Sequence, residues 1–266
     1  MIERLKKSAE ETETILCFGI DPVLERIKSD EKDTSDKIVN YFAAITDKLI
    51  DENQISAIKP NYAFFAQYGF EGYDALKRLM DEYKKIIPII LDGKRGDIGK
   101  TGMAYAKEIY DFWGADAVTV SSYMGHDSVE PFMRDGKIVY VLCRTTNKGA
   151  EDFQELKIGG KYLYEKVAEK AVGWGTGLVV GATSDSIKKI VKITKGKNVP
   201  FLIPGVGSQG GDLQMVLKAI KDEILIHRIN ASSSLAYAHE KHKTSFEKAT
   251  LIEANKLNKE ISKYIK

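Results

Sequence analysis

Short apolar runs recur along the chain, each closed by a polar turn and followed by a longer stretch in which apolar residues return every three or four positions. Eight such runs are strand candidates: residues 15–21, 55–59, 86–92, 116–121, 138–143, 176–182, 199–204 and 223–230. Helical stretches lie between them. In 35–52, Ile38, Tyr41, Phe42, Ile45 and Leu49 share one face, and in 99–113 Met103, Ala106, Ile109 and Tyr110 do the same. Runs such as Ile86-Ile87-Pro88-Ile89-Ile90-Leu91 and Leu178-Val179-Val180 are apolar on both faces, as parallel strands covered by helices require. Pro88 removes a ladder donor, so it marks a strand start or a bulge. Eight alternating βα units predict an α/β fold, a (β/α)8 TIM barrel. No Pro/Ser-rich linker or shift in composition divides the chain, and residues 1–266 read as a single barrel domain.

Composition narrows the partners. A chain of 266 residues with 43% apolar content can bury a large core and is not disordered. Its 40 basic and 38 acidic side chains leave a net charge of +2, and no segment concentrates arginines and aromatics as a nucleic-acid surface would. No apolar stretch approaches the roughly 20 residues needed to span a bilayer. The start, Met1-Ile2-Glu3-Arg4-Leu5-Lys6-Lys7, lacks the apolar core of a signal peptide, so the cytoplasm is the expected compartment. Cys17 and Cys143 sit in apolar runs without metal-ligand or CxxC spacing and read as buried thiols of a reducing compartment. His126, His227, His239 and His242 lack zinc spacing, and solvated or capping roles are expected of them. The stretch 246–265 reads as the last helix of the barrel.

The candidate chemistry gathers at one end of the strands. Asp21, Lys59, Asp92, Ser121, Thr145, Pro204 and Asn230 each fall at or just beyond a strand's C-terminal end, the face on which barrel active sites are built. In Ile89-Ile90-Leu91-Asp92-Gly93-Lys94-Arg95-Gly96-Asp97, strand alternation puts Asp92 and Lys94 on one face. With Lys59 they form a charged cluster suited to a charged substrate. Asp97 lies past the turn at Gly96 and is expected to act at a different place, across a subunit boundary.

Six motifs then carry a resemblance: Phe18-Gly19-Ile20-Asp21-Pro22, Ile58-Lys59-Pro60-Asn61, Asp92-Gly93-Lys94 through Thr101, Cys143-Arg144-Thr145-Thr146-Asn147, Pro204-Gly205-Val206-Gly207-Ser208-Gln209, and Ile229-Asn230-Ala231-Ser232. In order and spacing, from about residue 15 to 240, the chain resembles the orotidine 5'-phosphate decarboxylase family, in its longer bacterial and protozoan branch. The resemblance implies conversion of orotidine 5'-phosphate to uridine 5'-phosphate in pyrimidine biosynthesis, without metal or organic cofactor. Lys94 would stabilise charge at C6 of the pyrimidine and then protonate it. Asp92 would hold Lys94 in place and keep it charged. Asp97 and Thr101 would enter the partner's site in a homodimer. Asp21 and Lys59 would bind the ribose hydroxyls, supported by Asn61. Thr145 and Thr146 would meet the pyrimidine edge, and Pro204 its face. Gln209 and the loops after strands seven and eight would hold the phosphate, and Asn230 and Ser233 stand among the substrate-binding residues. The polar loop 147–154 is a candidate lid.

Related keto-gulonate phosphate decarboxylases that use Mg2+ share the Asp-x-Lys-x-x-Asp spacing on the same barrel. A metal-binding glutamate is expected there at the end of the second strand, where Lys59 would repel a cation. The segment Gly205–Gly210 also fits G-x-G-x-x-G, but it follows the seventh strand, whereas a dinucleotide fingerprint opens the first βαβ unit of a doubly wound domain. Two departures from the family stand out. Gly93 replaces the usual alanine, and Ser233 takes the place of a phosphate-clamping arginine, for which Arg228 is a nearby substitute. The missing arginine also makes a non-catalytic nucleotide-binding barrel a reading to weigh.

Overall fold

In the computed structural model, which describes residues 1–206 and 211–265, eight parallel strands form a ring. They are β1 (Leu16–Ile20), β2 (Ala57–Pro60), β3 (Ile90–Arg95), β4 (Ala117–Val120), β5 (Ile138–Arg144), β6 (Gly177–Val180), β7 (Phe201–Ile203) and β8 (Arg228–Ala231). Pairing runs β2-β1-β8-β7-β6-β5-β4-β3. Single parallel bridges, Ile58 with Ile89 and Asn61 with Asp92, complete the ring between β2 and β3. This is the expected (β/α)8 barrel. A small antiparallel hairpin, Lys157–Ile158 with Lys161–Tyr162, follows β5 and had no sequence signal.

Two strand boundaries differ from expectation. Pro88 precedes β3, and its carbonyl accepts the Ile58 N–H at 3.0 Å, while the strand runs on through Asp92 and Lys94 to Arg95. Before β8, Lys221–Ile226 forms a tight 3-10 turn in place of the strand expected from 223.

Period-two alternation sorts each strand into two rows. Outward-facing Leu16, Phe18, Ile58, Leu91, Val118, Val141, Leu178 and Ile203 merge with helical Phe42, Ile45, Leu79, Ile109, Ile190 and Leu217 into the main core. Burying each such side chain contributes roughly 1.5–3 kcal/mol. The inward row, Cys17, Ala57, Ile90, Ala117, Tyr140, Val179 and Leu202, forms a separate interior cluster.

That cluster is closed from below by an element not expected from sequence. The helix Ile2–Thr12 lies across the floor of the barrel, and Leu5, 1% exposed, joins the interior row. Arg228 fastens it: fully buried, its guanidinium donates to the carbonyls of Leu5 at 2.5 Å, His227 at 2.7 Å and Leu225 at 3.1 Å. Burial lowers its pKa to about 10. Arg228 therefore opens β8 at the end opposite the polar mouth and does not substitute for the missing phosphate clamp.

His227, beside it, departs from the solvated or capping role expected. It is buried, its Nδ1 accepts the Phe201 N–H at 3.0 Å, and burial, reinforced by Arg228, lowers its pKa to about 3. Cys17 and Cys143 are buried as expected; burial pushes the Cys17 thiol up to about 12 and raises that of Cys143 further.

Candidate active site

One step up from the interior cluster, the same alternation changes chemistry. Ala57 is followed on the inward row by Lys59, Ile90 by Asp92, Ala117 by Thr119 and Arg228 by Asn230. These residues, with Asp21, Asn61, Lys94, Thr145, Thr146, Pro204 and Ser233, line one cavity of about 480 Å³ at the C-terminal mouth of the barrel. That volume suits a mononucleotide-sized ligand, since small-molecule sites span roughly 300–1,000 Å³. Glycine makes the packing possible at two positions. A Cβ at Gly19 would lie 1.9 Å from Ser232 Oγ, and one at Gly181 would lie 2.8 Å from the Thr146 methyl.

Asp92 is the centre of the charge array. Lys94 Nζ donates to its Oδ1 at 2.7 Å, and Lys59 Nζ to its Oδ2 at 2.9 Å. Burial by itself would raise the Asp92 pKa, but Lys59 and Lys94 outweigh it and hold the carboxyl far below the usual range. Lys59 is 4% exposed, and burial would lower its pKa; Asp92 and Asp21 overturn that, so its ammonium is held above the ordinary lysine range. Charges this deeply buried persist only when paired.

The strand that carries these groups is bent to do so. The register of β3 against β4 shifts between Leu91 and Arg95, and Lys94 adopts φ 43°, a left-handed conformation uncommon for a side-chain-bearing residue. Two other acceptors stand ready at the mouth. Asp21 Oδ1 and Asn230 Oδ1 are buried and find no donor among the described residues. Such atoms call for a donor from a ligand, as a sugar hydroxyl would supply.

The loop after β5 narrows a choice that the sequence left open. The Thr145 hydroxyl donates to Asn147 Oδ1 at 2.6 Å and accepts from Gln154 Nε2 at 2.9 Å, while its N–H donates to Gln154 Oε1 at 2.8 Å. Thr145 is thus occupied locally, and Thr146 is the better placed of the two to meet a ligand. Asn147 and Gln154, from the candidate lid, also line the cavity.

Asp97 and Thr101 are not in the cavity wall formed by this chain. Asp97 Oδ1 accepts the Ile98 N–H at 2.8 Å, and Thr101 is exposed on the helix Gly99–Lys107. Gln209 lies outside the described residues. Ser233 lines the cavity. Sequence reasoning passed over Thr119, Leu142, Val179 and Leu202, and it placed Gln154 in the candidate lid and Ser232 in a motif without giving either a role of its own. Counting by twos from Ala117 would have found Thr119.

A (β/α)8 barrel with two ammonium groups on one buried carboxylate, beneath orphaned acceptors at its mouth, is built as an enzyme for an anionic, hydroxyl-bearing substrate. Its affiliation is narrower than that. The profile of the orotidine 5'-phosphate decarboxylase / HUMPS family matches residues 14–248, and the chain belongs to this family. Relatives named orotidine 5'-phosphate decarboxylase include those of Herpetosiphon aurantiacus, 40% identical over 245 residues, and Delftia acidovorans, 39% identical over 251 residues; each alignment covers 89% of both chains. Among solved structures, Leishmania donovani OMP decarboxylase superposes with a TM-score of 0.81 at 34% identity, over 97% of this chain and 98% of that one. Leishmania donovani UMP synthase gives 0.82 at 36% identity, over 97% of this chain, which spans 55% of the synthase.

Proposed function

We infer that the protein decarboxylates orotidine 5'-phosphate to uridine 5'-phosphate, with Lys94 as the proton donor. The observation that carries this reading is the pair of ammonium groups seated on the two oxygens of Asp92 at the base of the cavity. Loss of CO2 breaks the bond between C6 and the carboxylate and leaves its electron pair on C6, where no ring position absorbs it. Stabilisation must therefore come from fixed charge around the site. Lys94 supplies that charge and transfers a proton to C6, completing the product, and is reprotonated from solvent. Asp92 orients Lys94 and Lys59 together, while Asp21, Lys59 and Asn61 bind the ribose. Thr146 and Pro204 flank the pyrimidine. Ser233 and Gln209 serve the phosphate end, and Asn230 Oδ1, without a donor among the described residues, accepts from a substrate hydroxyl.

Lys59 also speaks against the Mg2+-dependent rival. Its ammonium occupies the position where that group's metal-binding glutamate is expected, and it would repel a divalent cation.

Asp97 and Thr101 complete the site of a second copy. Their exclusion from their own chain's cavity supports this, as do the exposed apolar side chains of Ile98 and Met103 (64% exposed) on the same segment. Exposed apolar side chains of this size mark an association surface. The enzyme is accordingly a homodimer of one-domain barrels, and two buried free thiols suit a reducing cytoplasm.

Ultraviolet absorbance of orotidine 5'-phosphate mixed with the purified protein tests the reading. Turnover that survives EDTA and disappears in Lys94→Ala is the expected result. EDTA-sensitive turnover, or nucleotide binding with no turnover, overturns it.

A further inference from the structure

Thr119 is buried in β4, 1% exposed, and faces the cavity between Asp92 and Lys94. Its Oγ1 donates to Asp92 Oδ1 at 2.8 Å and accepts the backbone N–H of Lys94 at 3.0 Å. The direction of both bonds is fixed. A carboxylate only accepts and a backbone N–H only donates, so the single hydroxyl proton must point to Asp92 and a lone pair to Lys94. The Lys94 N–H needs such a partner because the register shift in β3 takes it out of the strand ladder, and a left-handed backbone must be held from outside.

We propose that Thr119 is a positioning residue for the decarboxylation, clamping the Lys94 backbone bulge and the Asp92 carboxylate with one hydroxyl so that the lysine ammonium is fixed where charge develops. The proposal rests on Lys94 as the reacting group. Asp92 Oδ1 already receives the Lys94 Nζ, so the hydroxyl closes a small ring: lysine backbone to threonine, threonine to carboxylate, carboxylate to lysine side chain. Without the hydroxyl, the two ends of Lys94 are no longer tied to the same neighbour. Displacements of about 1 Å at a reacting group cost on the order of 100-fold in rate.

Three variants separate the hydroxyl from the bulk of the side chain. Thr119→Val keeps the shape and removes both bonds; it is expected to lower kcat about 10- to 100-fold and leave KM within about threefold of wild type. Thr119→Ser restores the hydroxyl and should recover kcat to within about fivefold. Thr119→Ala replaces the valine variant if the latter does not fold. Amide hydrogen exchange at Lys94 provides a readout independent of turnover: it should accelerate in Val or Ala and stay slow in Ser. A valine variant with wild-type kcat, a serine variant as impaired as valine, or unchanged Lys94 protection in all variants would overturn the proposal. If wild type itself shows no turnover, the decarboxylase reading fails, while the exchange data still decide whether Thr119 holds the bulge.

Discussion

Lys59 Nζ and Asp92 Oδ2 lie 2.9 Å apart, both nearly shielded from solvent, across the seam where β2 and β3 close the barrel. Their contact therefore joins two strands as well as setting the charge of the site. Asp92→Asn leaves the buried Lys59 ammonium without its carboxylate. We expect a loss of about 3–5 kcal/mol in urea-determined stability and at least about 100-fold in kcat by absorbance assay. The pH dependence of the stability effect follows from the directions of the two shifts. Asp92 is held below its ordinary value of 3.8, so its contribution is complete above that pH and is lost as pH falls below it. Lys59 is held above its ordinary 10.5, so its contribution is complete below that pH and is lost as pH rises beyond it. The stability difference between wild type and Asp92→Asn should thus hold level between about pH 5 and 7 and shrink as pH rises further, because burial, no longer opposed by Asp92, favours the uncharged Lys59 in the variant; a difference that grows with pH would contradict the pairing.

Residues that act across a subunit boundary can be tested by mixing. If Asp97 serves the partner's site, Asp97→Ala and Lys94→Ala homodimers are each inactive, yet a hybrid of the two contains one site with both residues intact. Denaturing and refolding the two variants together at equal amounts should restore about a quarter of wild-type activity, half the dimers being hybrid with one good site each. Recovery no greater than the sum of the separate variants would place Asp97 in its own chain's site.

Ser233 stands in the cavity wall where the family resemblance implies a phosphate-clamping arginine, and Arg228 is turned to the opposite end of the barrel. A charge-assisted hydrogen bond contributes about 1.5–3 kcal/mol, so Ser233→Arg should lower KM for orotidine 5'-phosphate by one to two orders of magnitude with little change in kcat. Unchanged KM and kcat/KM would mean that the phosphate is already held by other groups.

His227 gives the fold a defined acid sensitivity. Its folded pKa of about 3 lies below the ordinary 6.5, so between these values the unfolded chain binds a proton that the native state refuses. Stability should fall as pH drops through this window, by up to about 1.4 kcal/mol per pH unit from this residue. His227→Gln is expected to be less stable at pH 7 yet to show a shallower decline between pH 6 and 4. Parallel declines in melts of the two proteins would remove His227 as the cause.

Much of the barrel and its mouth was readable because one regularity, side-chain alternation in parallel strands, orders both. Apolar on both faces meant covered strands, and the switch to Asp21, Lys59, Asp92 and Asn230 at their ends marked the open mouth. The features that escaped depend on pairing between distant segments. Thr119 sits in Ala117-Val118-Thr119-Val120, where threonine is an ordinary strand former, and its meaning comes only from the bulge opposite. Leu5 lies in a helix dominated by Glu and Lys, whose few apolar positions did not disclose that they meet the barrel floor. Arg228 reads as a candidate anion ligand until the strand's direction places it at the wrong end, and His227 reads as a surface group until Phe201 supplies its bond. Charge and period are local properties, whereas these four assignments are set by neighbours 25 or more positions away.

Among the described residues, the plug made by Leu5 and fastened through Arg228 closes one end of the barrel and leaves the cavity at the other. Substrate and product then share the passage at that end, and whatever narrows it bears on both. Slow unlatching of residues 147–154 would show up as turnover limited by release, sensitive to solvent viscosity and indifferent to how fast the carbon bond breaks.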